Sequence, residues 1–171
     1  MRLRRKVCLL GAPGVGKSSL LRRFVEDRFD DAHNPSIAMS IFSGTVELGD
    51  VTLEMLLWDP VASDPGGQYN RSFMSGASGL VFVVDATKPQ TLDHLLEVQA
   101  KERGFIGSRP AILVVNKADL TGDFALSKAQ IDAASKLDWR LVQASAKTGD
   151  NVRQVFTKLA ELMLEARKAT G

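Results

Sequence analysis

The chain has 171 residues, 44% of them hydrophobic and 25% charged, a balance that predicts one globular domain and excludes a disordered or fibrous chain. Its net charge of +2 is too small for a protein that binds nucleic acid by neutralising many phosphates. A single cysteine, Cys8, excludes an internal disulfide and fits a cytoplasmic protein, and no apolar stretch approaches the ~20 residues that cross a bilayer.

Val7 to Leu10 is a short apolar run cut by Gly11, and from Lys17 to Val25 the residues Leu20, Leu21, Phe24 and Val25 fall on one side of a helix. Met39 to Leu48 and Val51 to Trp58 are extended runs parted by Gly49-Asp50, with the alternation Val51, Leu53, Met55, Leu57, so they are expected to pair as a hairpin. Leu80 to Val84 and Ala111 to Val115 are unbroken apolar runs, the pattern of strands covered on both faces. Between them a crossover helix is expected after Pro89, with Thr91 as its cap. Ser127 and Gln130 form a capping-box pattern, flanked by Leu126 and Ile131 at staple positions, so a helix starts near Lys128. Leu141-Val142 is a last short strand, and Val152, Val155, Phe156, Leu159, Leu162 and Met163 form the stripe of a closing helix. The alternation predicts an α/β fold with right-handed crossovers, whose ligands gather at the carboxyl ends of the strands.

One motif sits at the end of the first predicted strand. Gly11-Ala12-Pro13-Gly14-Val15-Gly16-Lys17-Ser18 matches the phosphate-loop pattern and opens a helix, as its chemistry requires. Backbone amides from Gly14 through Ser19 can close around phosphates, Lys17 reaches the terminal phosphates as a catalytic candidate, and the Ser18 hydroxyl can ligand Mg²⁺. Pro13 lacks an amide hydrogen, so one donor of the loop is missing. Asn116-Lys117-Ala118-Asp119 follows a buried strand, and a carboxylate at Asp119 can accept from both N1–H and the exocyclic amine of guanine. Adenine offers no such pair and leaves the carboxylate desolvated and unpaired. Ser145-Ala146-Lys147, after the last strand, adds a backbone amide for the guanine oxygen.

With these motifs in this order, the sequence resembles the Ras/Rab-like small GTPases from about Arg4 to about Arg167. The matching residues are GAPGVGKS at 11–18, Phe29, NPSI at 34–37, WD at 58–59, NKAD at 116–119 and SAK at 145–147. The resemblance implies a P-loop G domain spanning 1–171, with a six-stranded, mostly parallel sheet, one antiparallel strand and about five helices. It further implies GTP and GDP as ligands, Mg²⁺ as cofactor, and protein effectors and regulators as partners. By carry-over Phe29 flanks the guanine, Asn116, Lys117, Asp119, Ser145, Ala146 and Lys147 hold it, and Ser36 and Asp59 join Ser18 around the metal.

The second switch departs from the family. Counted without gaps, Asp59 is followed by Pro60-Val61-Ala62-Ser63 where the family has Thr-Ala-Gly-Gln. Ala62 replaces the glycine that meets the γ-phosphate, and Ser63 is too short to orient the attacking water, so slow hydrolysis is expected. A rival register, Asp64-Pro65-Gly66-Gly67-Gln68, makes Gln68 the water-positioning residue. The leading expectation is a slow guanine-nucleotide switch, and the alternative is a GTP-binding scaffold without hydrolysis. An ATPase or nucleotide kinase is disfavoured by Asp119 and by the lack of a lid segment. Cys8, His33 and His94 read as core or surface residues rather than metal ligands, and Arg2, Arg4, Arg5 and Lys6 read as a solvated flank on the first strand rather than a contact for an acidic surface. The end ARKATG carries no cysteine for prenylation, so any membrane contact is expected to be peripheral or carried by a partner.

Overall fold

A computed structural model describes residues 1–27, 29, 39–60 and 71–170. Its elements are β1 (Arg2–Leu10), α1 (Lys17–Glu26), β2 (Met39–Leu48), β3 (Val51–Pro60), α2 (Arg71–Met74), β4 (Gly79–Asp85), α3 (Pro89–Ile106), β5 (Ala111–Asn116), α4 (Lys128–Ser135), β6 (Arg140–Gln143) and α5 (Val152–Thr170). They build one six-stranded sheet in the order β2-β3-β1-β4-β5-β6. Only the β2–β3 pair is antiparallel, turning through Gly49-Asp50 with Leu48 opposite Val51. Gly49 takes a φ of 57°, which a tight hairpin turn demands and glycine adopts without strain.

The alternation of β1 divides the core. Val7 and Leu9 face a cluster with Leu20 and Leu21 of α1 and Val155, Phe156 and Leu159 of α5. Cys8 and Leu10 face the opposite cluster, with Leu92 and Leu95 of α3 and Phe82 of β4. Strands β4 and β5 are buried along their whole lengths, so their unbroken apolar sequences follow from having helices on both faces. Burial pushes the Cys8 thiol up to about 11, with Lys6 and Arg109 opposing, and leaves it an inert core group.

Three details differ from the sequence expectations. Strand β1 runs from Arg2, and its basic half pairs with β3 from Arg2 opposite Thr52 onward. Arg2 and Arg4 on this flank are exposed as expected, whereas Arg5 and Lys6 are half-buried. Arg4 sits 2.9 Å from Glu54, and the Lys6 ammonium donates to the carbonyls of Phe73 (2.7 Å) and Ser75 (2.9 Å) while lying 3.9 Å from the Trp58 ring centroid. Helix α3 starts at Pro89, whose fixed φ suits a first helical turn, so Thr91 is not its cap. Instead the buried Thr91 hydroxyl accepts from the Asp85 amide at 3.0 Å and donates to the Lys88 carbonyl at 2.7 Å, tying α3 to the end of β4. His94 is half-buried rather than fully on the surface. The capping box of α4 forms as its sequence pattern predicts, with the Gln130 amide donating to the Ser127 hydroxyl and the Ser127 amide donating to the Gln130 side chain.

Candidate functional site

The carboxyl ends of β1, β3, β4 and β5 converge with the loop after β6 on one side of the sheet. The loop from Gly11 to Gly16 turns β1 into α1, with Gly14 at a φ of 79° and Gly16 at 99°. At Gly16 a Cβ would come within 2.3 Å of the Asn116 amide nitrogen, so only glycine fits between the phosphate loop and β5. Val15 buries its side chain in the core and offers its carbonyl to the Asn116 side-chain amide at 2.9 Å. The loop and the Asn116 segment are thereby locked together.

Lys17 lies across the loop, its ammonium donating to the carbonyls of Gly11 (2.8 Å) and Ala12 (3.2 Å). Burial lowers its pKa from the ordinary lysine value, and the nearby Asp59 charge offsets only part of that. Asp59, 1% exposed at the end of β3, accepts a hydrogen bond from the Ser18 hydroxyl. A serine hydroxyl beside a buried carboxylate is an all-oxygen donor set, which suits Mg²⁺. Ser19 is buried behind them.

Beside the phosphate loop opens a cavity of about 230 Å³, lined by Gly14, Gly16, Ser19, Phe29, Asn116, Lys117, Asp119, Leu120, Ala146 and Lys147. Asp119 is held by the Ser145 hydroxyl, which donates to one carboxylate oxygen at 2.7 Å. The Ala146 amide donates to the Asn116 side-chain oxygen at 3.1 Å. Lys117 sits at a φ of 64°, an unusual conformation for a side-chain-bearing residue, and its ammonium donates to the Gly14 carbonyl (3.0 Å) and the Asp85 carboxylate (2.6 Å). Phe29, 36% exposed, forms part of the cavity wall.

The structure thus gathers Gly14, Val15, Gly16, Lys17, Ser18, Ser19, Asp59, Phe29, Asn116, Lys117, Asp119, Ser145, Ala146 and Lys147 around one cavity and its rim. Ser36, Ala62, Ser63 and Gln68, which carry the rest of the metal and hydrolysis expectations, lie outside the described residues. Two contributors escaped the sequence reading: Asp85 and Leu120. Asp85 had a signal, a lone acid closing the apolar strand β4. Leu120 adds apolar wall beside Asp119.

Comparison with known proteins bears on this geometry. Residues 6–165 match the Ras family. The chain is 34% identical to Ras-related protein RABC1 of Arabidopsis thaliana, over 97% of this chain and 80% of that protein. It is 33% identical to Ras-related protein Rab-22A of Mus musculus, over 97% of this chain and 88% of that protein. With Ras-related protein SEC4 of Saccharomyces cerevisiae it shares 29% identity, over 94% of this chain and 75% of that protein.

Proposed function

Because this chain belongs to the Ras family of small GTP-binding proteins, we propose that it is a slow guanine-nucleotide switch, cycling between GTP and GDP and read by protein effectors in the cytoplasm. The observation that carries the proposal is a cavity in which a phosphate loop meets a carboxylate fixed by Ser145, with Lys117 joining the two halves. Asp119 accepts from the guanine N1–H and exocyclic amine, and Phe29 and the Lys117 stem flank the base. Amides from Gly14 to Ser19 wrap the phosphates, and Lys17 exchanges its carbonyl partners for phosphate oxygens.

Ser18 and Asp59 would hold Mg²⁺, with Ser36 as the third protein contact. The ion supplies charge neutralisation on the phosphate oxygens. What this chain lacks on the ungapped register is a water-orienting side chain, since Ser63 stands where the family has glutamine. Together with the missing Pro13 amide, that supports slow intrinsic hydrolysis, with Gln68 able to act only if the rival register holds.

The base assignment is tested by Asp119→Asn. An asparagine presents a donor toward the base, so affinity is expected to shift from GTP toward xanthosine triphosphate. Unchanged GTP affinity in that variant contradicts the assignment.

A further inference from the structure

Arg23 stands near the end of α1, the helix that begins at the phosphate loop, and its side chain is 17% exposed. Its guanidinium reaches residues more than a hundred positions away: Nε donates to the Ala146 carbonyl at 2.9 Å and Nη2 to the Lys147 carbonyl at 2.7 Å. The remaining Nη1 donates to the Asp27 carbonyl at 3.2 Å, which closes α1. A planar fork with this many directed donors fixes the orientation of the peptide units it grips, not only their position.

The amides of the same loop can be accounted for one by one. The Ser145 amide donates to the Asp150 carbonyl, Ala146 to the Asn116 side chain, Thr148 to the Ser145 hydroxyl and Gly149 to the Ser145 carbonyl. Lys147 alone among them donates to no described residue, and it lines the cavity. In a trans peptide the carbonyl and the following N–H point in opposite directions. Arg23 pulls the Ala146 carbonyl toward α1, so the Lys147 N–H is turned away from α1.

We propose that Arg23 is a positioning residue for base recognition, holding the Ala146 and Lys147 carbonyls so that the Lys147 amide is presented to the six-position oxygen of guanine. This rests on the guanine reading above and refines it: the sequence assigns the guanine oxygen a backbone amide of Ser145-Ala146-Lys147 without saying which, and in the structure the Ala146 amide is engaged by Asn116. It also gives α1 two roles, phosphate contact at its first turn and control of the base loop at its last.

The test compares GDP with 2-aminopurine riboside diphosphate, which keeps the exocyclic amine but lacks both the six-position oxygen and the N1–H. The part played by Arg23 is therefore read from each ligand's own loss relative to wild type. Both are bound with Mg²⁺ to the wild type, Arg23→Gln and Arg23→Lys, and melting of the nucleotide-free proteins is followed in parallel. Arg23→Gln is expected to weaken GDP about tenfold and the oxygen-free analogue less than about twofold, the loss of one directed hydrogen bond. Arg23→Lys, which keeps the charge but cannot grip two carbonyls, falls between, and it carries the test if the glutamine variant does not fold. Equal losses for both ligands, with the wild-type preference for GDP intact, overturn the assignment of Arg23. A wild type that binds the two diphosphates equally overturns the guanine reading itself.

Discussion

Lys117 reaches past the base cavity to place its ammonium 2.6 Å from the carboxylate of Asp85, a fully buried residue at the end of β4. The other Asp85 oxygen accepts from the Thr87 amide (2.9 Å) and hydroxyl (2.7 Å), so neither end of the pair is free to drift. Asp85→Asn strips the charge that anchors Lys117, which is itself a third exposed. The expected cost is about 2 kcal/mol of stability, at the low side for a broken buried pair because water reaches Lys117. Urea unfolding of the two proteins at neutral pH checks it.

The same pair predicts an acid dependence. Burial pushes the Asp85 carboxyl up, but the hydrogen bonds from Lys117 and Thr87 and the Lys117 charge outweigh it, leaving the pKa below the ordinary 3.8. The unfolded chain takes the proton at the ordinary value, and the folded protein only at lower pH. The stabilisation is therefore complete above the ordinary value and lost as pH falls through the folded one. The gap in stability between wild type and Asp85→Asn is expected to be constant near neutrality and to close at strongly acid pH, followed by circular dichroism.

Metal removal tests the rim of the site. Ser18 and the buried Asp59 carboxylate lie against each other where the ion would sit. Ligand bound at a thousandfold excess over its Kd stabilises the folded state by about 4 kcal/mol, and Mg²⁺ carries part of that through the nucleotide. Adding a chelator to the GDP complex is expected to lower Tm by several degrees in the wild type. The Ser18→Ala complex is expected to melt at nearly the same temperature with and without chelator. Calorimetry on both decides.

Much of this architecture could be read in advance. The phosphate loop, the Asp119 motif and the two buried central strands carry local signals: glycines at the turn, a carboxylate after an apolar run, and unbroken hydrophobic stretches. The basic half of β1 reads as a solvated flank on the strand because the partner of Arg2 and Arg4, Glu54 of β3, lies about 50 residues away in the sequence. Arg23 was hidden for a related reason. Its partners lie 123 and 124 residues away, a relationship that no periodicity or spacing encodes. Thr91 shows a local signal misread, since a threonine near a helix start serves the preceding strand instead of the helix.

Packing between the sheet and α1 makes a prediction independent of the site. Phe24 of α1 stacks on Phe156 of α5 with ring centroids 4.1 Å apart, and a Cβ on Gly44 of β2 would stand 2.3 Å from the Phe24 ring. Gly44→Ala is expected to cost about 1–3 kcal/mol by overpacking. Combined with Phe24→Leu, its cost should fall well below the sum of the single changes, because the clash is with that ring. Denaturant midpoints of the four proteins measure the coupling.

The most direct measurement is single-turnover phosphate release from protein loaded with γ-labelled GTP and Mg²⁺, with bound nucleotide counted in the same sample. A slow guanine-nucleotide switch predicts stoichiometric GTP that persists intact for hours. Hydrolysis within minutes, abolished in Gln68→Ala and unaffected in Ser63→Ala, would contradict the slow-hydrolysis reading, and a protein that retains no GTP would contradict the function itself.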